Sequence, residues 1–304
     1  MFKRMVLALG ALLGAYFLFI SPGVAVIPDK PVFALQIEMV GRGGHVIFNG
    51  VPVFRNYGGL TTSIQVPVTE YVVNGPNNFG FELFDDNNKA PADAYVSATL
   101  VLRQNGTPKD QGSNVVSIAM TGAVAETLAS GYPPEATIGG SAGRARFVRN
   151  EAKRMLVVTR PWTSTIRLPE WRWNHSELVV DNETTRTELR AAYQALWDAL
   201  AAKQRDVLIR MLDEKASELA LAYYISKDDA VKLIELADKP FEEGWTLKPL
   251  EWDKMKLATV GDGRLTSLRY QGGRTPINYT DDEHNRNSFD MWWRHEQGRW
   301  IIAR

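Results

Sequence analysis

The chain has 304 residues, of which 35 are basic and 35 acidic, so its formal net charge at pH 7 is zero. A nucleic-acid-binding surface needs clustered positive charge, so this balance argues against a nucleic-acid partner. With 45% hydrophobic residues and no cysteine, the chain is expected to bury a sizeable core without disulfides, thiol chemistry or a lipid-modified cysteine.

Residues 1–25 have the pattern of an export signal. Lys3 and Arg4 precede an apolar run, and Gly23 and Ala25 supply the small residues that a signal peptidase reads. Cleavage after Ala25 and retention as an anchor through residues 5–28 both fit this pattern. Either way, the rest of the chain is predicted to be exported to the far side of the membrane, and the lack of cysteine favours a bacterial periplasm. Membrane contact is expected only through this segment.

Residues 28–176 are predicted to form a β-rich, sandwich-like domain. Asn49-Gly50 separates two strand-like runs and predicts a two-residue hairpin turn, because such a turn needs positive φ at both positions. Turn residues punctuate the whole segment, which is typical of an antiparallel β-sandwich. The strand-like runs are 33–40, 45–48, 51–54, 63–68, 70–73, 79–84, 95–103, 114–120, 145–148 and 155–159.

Trp171 and Trp173 lie in the segment that ends this domain. If the segment is extended, alternation places both indoles on one face. There they would either stack on a sugar ring or cover the seam between two domains, and the second role needs only that two large apolar rings be buried. Both residues are candidate binding residues.

Residues 177–304 are predicted to form a helical block followed by an antiparallel sheet. Thr185 and Glu188 have the spacing of a capping box, which predicts a helix start at Thr185. A second helix is predicted over residues 208–223. Ser226 with Asp229 predicts the cap of a third helix, and Pro240 is expected to end it. The fold class expected for the chain is therefore α+β and multidomain.

Strand pairs are predicted at 254–260 with 265–270 and at 288–295 with 299–303. The helical stretch 193–200 and the closing strand pair, which contains Trp293 and Trp300, resemble the NTF2-like family over residues 183–304 at most. The resemblance implies a curved sheet around a long helix, with a pocket in the resulting cone. That family includes both enzymes and binding domains, so no activity is implied. Trp293 and His295 are the candidate binding residues of this part.

No motif in the sequence predicts catalysis or a metal site. Residues 139–143 match G-x-S-x-G, but a nucleophile elbow needs a helix after it, and here the flanking sequence predicts a loop entering a strand. Residues 281–284 group four potential metal ligands without a spaced histidine pair, so they are interpreted as a solvated turn. A dyad of His295 with Asp290 or Asp281 is an alternative, although the odd spacing from Asp290 puts the two on opposite faces of a strand.

The preferred interpretation is a non-enzymatic exported protein that binds another envelope or secreted protein, without cofactor or metal. One version is an immunity or inhibitor protein against a toxin that acts in the envelope. The absence of a catalytic constellation and the aromatic content, which suits interfaces, favour this interpretation. Two alternatives stay open: a hydrolase or isomerase with its site in the C-terminal cone, and a glycan-binding module that uses Trp171 and Trp173.

Overall fold

A computed structural model describes residues 27–84, 93–121, 132–151, 154–236, 239–281 and 286–304. The predicted export signal and residues 282–284 of the acidic group lie outside these ranges. The chain has the predicted mixed α+β organisation, with strands in the N-terminal part and helices followed by further sheets in the later part. None of the helices within the described ranges combines the length and apolar character needed to cross a bilayer.

Two antiparallel sheets form the sandwich. The first sheet has the order β4-β1-β6-β7, and the second has the order β3-β2-β5-β11-β9-β8, with β10 also paired to β11. Alternation along β1 turns Phe33, Leu35 and Ile37 inward, where they meet Phe79 and Phe81 of the second sheet in one core. The strands are β1 Pro31–Val40, β2 Gly44–Phe48, β3 Val51–Asn56, β4 Thr62–Pro67, β5 Gly75–Phe84, β6 Tyr95–Gln104, β7 Ser113–Thr121, β8 Glu135–Thr137, β9 Gly140–Ala142, β10 Arg146–Asn150 and β11 Met155–Ser164.

Local turn chemistry in the sandwich is partly as predicted. The hairpin between β2 and β3 is confirmed, with φ of 49° at Asn49 and 74° at Gly50. The predicted strand over residues 70–73 is wrong, because Thr69–Tyr71 forms a single 3-10 turn between β4 and β5. Ser141 lies in β9, which pairs with β8 and β11 as part of the sheet, so the context of a nucleophile elbow is missing.

Four helices follow within the described residues: α1 Glu183–Ala201, α2 Arg205–Met211, α3 Asp213–Tyr223 and α4 Lys227–Ile234. The predicted start at Thr185 is wrong, since the side chain of Asn182 accepts the Thr185 N–H at 2.9 Å and the helix begins directly after it. The predicted second helix is two helices that meet at Leu212.

The cap of α4 is confirmed, because the Ser226 hydroxyl accepts the Asp229 N–H at 3.1 Å. Its predicted end is wrong. The helix ends at Ile234, where Glu235 takes a left-handed conformation with φ of 59°, well before Pro240. A left-handed residue after the last turn is a usual way to end a helix, so the proline is not needed for it.

Two antiparallel sheets complete the C-terminal part. Helix α1 packs on the four-stranded sheet β13-β14-β17-β18, and Leu189, Tyr193 and Leu196 fill the space between them. The predicted strand over 288–295 is split between this sheet and the three-stranded sheet β12-β15-β16. The NTF2-like resemblance stays a prediction. The strands are β12 Thr246–Leu247, β13 Met255–Val260, β14 Leu265–Tyr270, β15 Asn278–Thr280, β16 Arg286–Ser288, β17 Trp293–Glu296 and β18 Arg299–Ile302.

The sandwich and the C-terminal part meet along a buried surface, which we call the seam. The core of the sandwich continues across it to include Ala222, Leu265, Trp292 and Ala303. The hydrophobic core is therefore contiguous across the seam. The domain boundary predicted near residue 176 stays a prediction.

The helix start of α1 generates a test. Replacing Asn182 with Ala should lower the free energy of unfolding by about 1 kcal/mol, because the Thr185 N–H loses its acceptor. Replacing Thr185 with Ala should leave that free energy within about 0.5 kcal/mol of the parent, since alanine is a better helix former. Urea denaturation measures both variants. A larger loss for Thr185→Ala than for Asn182→Ala would show that the helix starts where the sequence predicted.

Candidate functional site

Trp171 and Trp173 lie in the seam. Their segment is a 3-10 turn over Arg172–His175 and is not extended. Both indoles nevertheless donate to the same neighbouring backbone, Trp171 Nε1 to the carbonyl oxygen of Val72 at 2.6 Å and Trp173 Nε1 to that of Glu70 at 3.1 Å. The residues are only 1% and 2% exposed. Their ring faces are therefore covered, and a sugar cannot stack on them in this arrangement.

Arg304 contacts the Thr69–Tyr71 turn, which also accepts the Trp173 indole, from the other side of the seam. Its guanidinium is 3% exposed, forms an ion pair with Glu218 of α3, and donates from Nη2 to the carbonyl oxygen of Glu70 at 2.9 Å. The guanidinium carbon also lies 5.6 Å from the ring centre of Trp173. A buried charge is tolerated where it is paired and hydrogen-bonded, as here. The arginine thus ties β18, α3 and the sandwich together.

Titratable side chains around this turn have displaced pKa values. Burial raises the pKa of the Glu70 carboxyl, whose oxygen accepts a hydrogen bond from the Tyr223 hydroxyl. Lys215 of α3 faces the same group. Burial lowers the pKa of the Lys215 ammonium to about 8, and the nearby positive charge of Arg304 lowers it further, while Glu70 acts in the opposite sense. The ammonium charge of Lys215 is therefore costly to keep at neutral pH.

Trp293 and His295 are not brought together with the other two predicted residues. Trp293 is 2% exposed and packs inside the C-terminal part, with its ring centre 5.2 Å from that of Tyr193. His295 lies at the surface of the same strand, with Nδ1 2.5 Å from a carboxylate oxygen of Glu177. The four predicted residues thus divide into a seam pair, a core residue and a half-buried histidine that contacts Glu177. The structure does not assemble them into one site.

The alternative dyad of His295 with Asp290 is wrong. Asp290 instead accepts hydrogen bonds from the guanidinium groups of Arg55, on β3, and Arg269, on β14. Arg269 lies 4.3 Å from the ring centre of Trp292, and burial lowers its pKa to about 10. His284 falls outside the described residues. Across the ranges that the structure covers, no group of three or more metal-ligating side chains is present.

The edge of the first sheet is the surface best suited to a partner. Strand β4 occupies the end of the order β4-β1-β6-β7 and pairs only with β1 among the described strands. No charged residue occurs from Asn56 through Thr69. Tyr57, Leu60 and Ile64 in this stretch are 46%, 72% and 43% exposed. Exposed edges without charge invite pairing with another chain, so soluble proteins usually protect them.

The opposite edge of the same sheet shows such protection. Strand β7 is capped by side chains that occupy its outward backbone groups. Arg160 Nη1 donates to the carbonyl oxygen of Ser117 at 2.7 Å, and the Tyr132 hydroxyl accepts the Ala119 N–H at 2.9 Å. A partner strand could not reach these atoms without displacing both side chains. Strand β7 is therefore closed, although its own sequence is as uncharged as that of β4.

The outer strands of the second sheet are protected in other ways. Strand β3 carries Arg55, which is held by Asp290 across the seam. Strand β8 has only three residues and begins with Glu135. Strand β10 carries Arg146 and Arg149. Short length and charge are the standard means of blunting an edge, and β4 has neither.

The register of β4 shows which backbone groups are available. The Val68 N–H donates to the carbonyl oxygen of Phe33 at 3.0 Å, in line with the β1–β4 pairing. Because antiparallel pairs alternate, Ile64 and its neighbours two residues away bond to β1, whereas Ser63 and Gln65 direct their N–H and C=O groups outward. Pro67 shares the outward phase, where the missing N–H costs nothing.

A recess of about 610 Å³ adjoins β4 on the outer face of the first sheet, and we call it the edge recess. Gln65 reaches across it, with Nε2 donating to the carbonyl oxygen of Lys109 at 3.3 Å, while Oε1 is buried without a partner among the described atoms. Its side-chain lining is mostly polar: Gln36, Glu38, Ser63, Gln65, Tyr95, Ser97, Thr99, Lys109 and Asp110. Side chains of an added strand would enter this recess at alternate positions.

The sequence contains a signal for this edge, although none of the predicted binding residues lies there. A run of fourteen uncharged residues, 56–69, is rich in Thr, Ile and Val and lies between two charged ones. That pattern is unusual for a surface strand, but only the strand order shows that it lies at an edge.

No protein family, curated protein or solved structure matched the sequence in the comparisons.

The lowered pKa of Lys215 predicts how stability depends on pH. The unfolded chain has the ordinary lysine value of 10.5 and so binds more protons than the folded chain above pH 8. Stability attributable to this group therefore rises with pH between about 8 and about 10. Lys215→Met should raise the free energy of unfolding at pH 7 by about 1–3 kcal/mol and flatten that rise.

Denaturant titrations at pH 7 and at about pH 9.5 compare the variant with the parent. Lys256→Met, a change at an exposed lysine on β13, is the matched control and should alter neither the stability nor its slope with pH. A Lys215→Met protein that is less stable than the parent at pH 7 would contradict the assignment of a partly buried, costly charge.

Proposed function

We propose that this is an exported protein that acts by binding another envelope or secreted protein, and that the partner adds a strand to β4. The observation that carries the proposal is the contrast among the sandwich edges. The uncharged stretch from Asn56 through Thr69, which includes β4, exposes Leu60 and Ile64, whereas the other outer strands are capped, short, charged or held across the seam. Strand addition is a common mode of protein recognition, in which main-chain bonds supply affinity.

The chemistry of β4 defines the partner. It would be an extended segment whose N–H and C=O groups pair with those of Ser63 and Gln65. Side chains on one face of that segment would enter the edge recess, which offers amides, hydroxyls and the charged groups of Glu38, Lys109 and Asp110. Side chains on the other face would cover Ile64. A segment with apolar and polar residues in alternation satisfies both faces.

The location proposed for the protein follows from its export signal and its lack of cysteine. The binding surface would be displayed in the periplasm, either free or tethered through residues 5–28. An immunity or inhibitor role is the version we favour, because covering an edge strand of a partner blocks that partner without any chemistry.

The proposal is tested by capture from a detergent-solubilised envelope extract with the full chain as bait. Ser63→Pro removes an outward N–H but keeps the pairing of β4 with β1, and Ile64→Lys places a charge on the exposed edge. Each should weaken the affinity for the captured protein about tenfold, since one or two backbone hydrogen bonds contribute about 1 kcal/mol each. Affinities are then measured with the purified partner.

Val148→Lys is the matched control. Val148 is an exposed β-branched residue on another sandwich strand, β10, and it is 59% exposed. It should leave the affinity unchanged. Near-ultraviolet circular dichroism of all three variants checks that the fold is kept. Capture that Ser63→Pro and Ile64→Lys leave intact, or a failure of the folded parent to capture any stoichiometric protein, would contradict strand addition to β4.

A further inference from the structure

A second recess of about 440 Å³ opens at the seam, and we call it the seam recess. Its walls come from both parts of the chain: the β2–β3 hairpin and strands β5, β10 and β11 on one side, and the β13–β14 turn on the other. Trp173 also lines the recess. The two parts touch beside it, where a side-chain carbon built on Gly50 would lie 3.3 Å from the backbone nitrogen of Gly261.

Some of the polar lining is already committed to the fold. Asn49 donates from Nδ2 to the carbonyl oxygen of Tyr71 at 2.8 Å, and Asn77 accepts the Val73 N–H at 2.8 Å. These two amides hold the hairpin and the start of β5 in place. They are satisfied within the protein, so a ligand would gain little from them.

Other lining groups have no such role. Arg146, Asn78, Thr159 and Asn174 make no side-chain hydrogen bond or ion pair to any residue in the described ranges. Arg264 uses Nη1 to donate to the carbonyl oxygen of Ser176 at 2.5 Å, which leaves its other donors for a ligand. The recess therefore combines uncommitted amide and hydroxyl groups with guanidinium donors from both sides of the seam.

The charge of the lining is positive. Arg146 comes from β10 in the sandwich and Arg264 from the β13–β14 turn, and Asp262 is the one carboxylate among the residues that line the recess. A guanidinium binds a carboxylate or phosphate through paired, charge-assisted hydrogen bonds. The neutral amides and the hydroxyl are suited to ligand hydroxyl groups, which both donate and accept. The size lies in the usual range for a small-molecule site.

We propose that the seam recess binds an anionic saccharide, with its acidic group held by Arg146 and Arg264 and its hydroxyls bonded to Asn78, Thr159 and Asn174. The indole faces of Trp171 and Trp173 take no part as stacking platforms, because they are buried. The ligand contacts both parts of the chain, so it stabilises the seam. This site is separate from β4 and does not depend on the partner proposed there.

The test is calorimetric titration of the full chain in a nonionic detergent with three probes: glucuronate, glucose and inorganic phosphate. Glucuronate should bind with a Kd of about 1 mM or lower. Glucose, which has the same ring hydroxyls and a hydroxymethyl group in place of the carboxylate, should bind at least about tenfold more weakly. Phosphate, which has the charge without the hydroxyl pattern, should also be weaker. Raising the salt concentration should weaken glucuronate binding, because the arginines are partly solvated.

Matched variants locate the site. Arg146→Ala should weaken glucuronate binding about tenfold or more, whereas Arg144→Ala, a change at an exposed arginine two positions away and outside the lining, should not. Thermal unfolding shows that each variant folds. Absence of glucuronate binding, equal binding of glucose or phosphate, or full binding by the folded Arg146→Ala protein would each overturn the assignment.

Discussion

The 3-10 turn Thr69–Tyr71 is the point on which both parts of the molecule depend. The Thr69 hydroxyl accepts the Phe33 N–H at 2.8 Å and so joins the turn to the first sheet. The carbonyl oxygen of Glu70 receives Trp173 and Arg304 from the other side of the seam. A buried carbonyl with two donors is difficult to replace, since losing either leaves a polar group unpaired away from water. The relative position of the two parts follows from this arrangement.

Helix α3 holds this junction in place through charge. Glu214 and Glu218 are one turn apart on α3 and meet the buried guanidiniums of Arg294 and Arg304 from the closing hairpin. The backbone N–H of Arg172 also donates to Glu218, at 2.7 Å. Two like charges at this spacing destabilise an isolated helix. In the folded protein each of the two carboxylates is paired with an arginine. Two glutamates that disfavour their own helix therefore indicate that tertiary contacts select them.

The features predicted well from the sequence are those determined by a few adjacent residues. The Asn49-Gly50 turn and the Ser226 cap depend on backbone conformations that only certain residues favour, and both were found. The start of α1 failed because Asn182 and Thr185 are both good caps, and tertiary context decides between them. The four predicted binding residues were not found at one site. Trp173 and Trp293 have partners about one hundred residues or more away in the chain, and strand order, which exposes β4, is not a local property.

The contact between Gly50 and Gly261 has a mechanical meaning. Backbone meets backbone there without a side chain between the two parts, and a side chain at Gly50 would require the neighbouring backbone to shift by a few tenths of an ångström. Backbones that already touch cannot approach further at this point, so the contact limits closure of the recess beside it. The seam recess beside it would then select a ligand by fit to a fixed opening, and the molecule would not close around its ligand as hinged two-part binding proteins do.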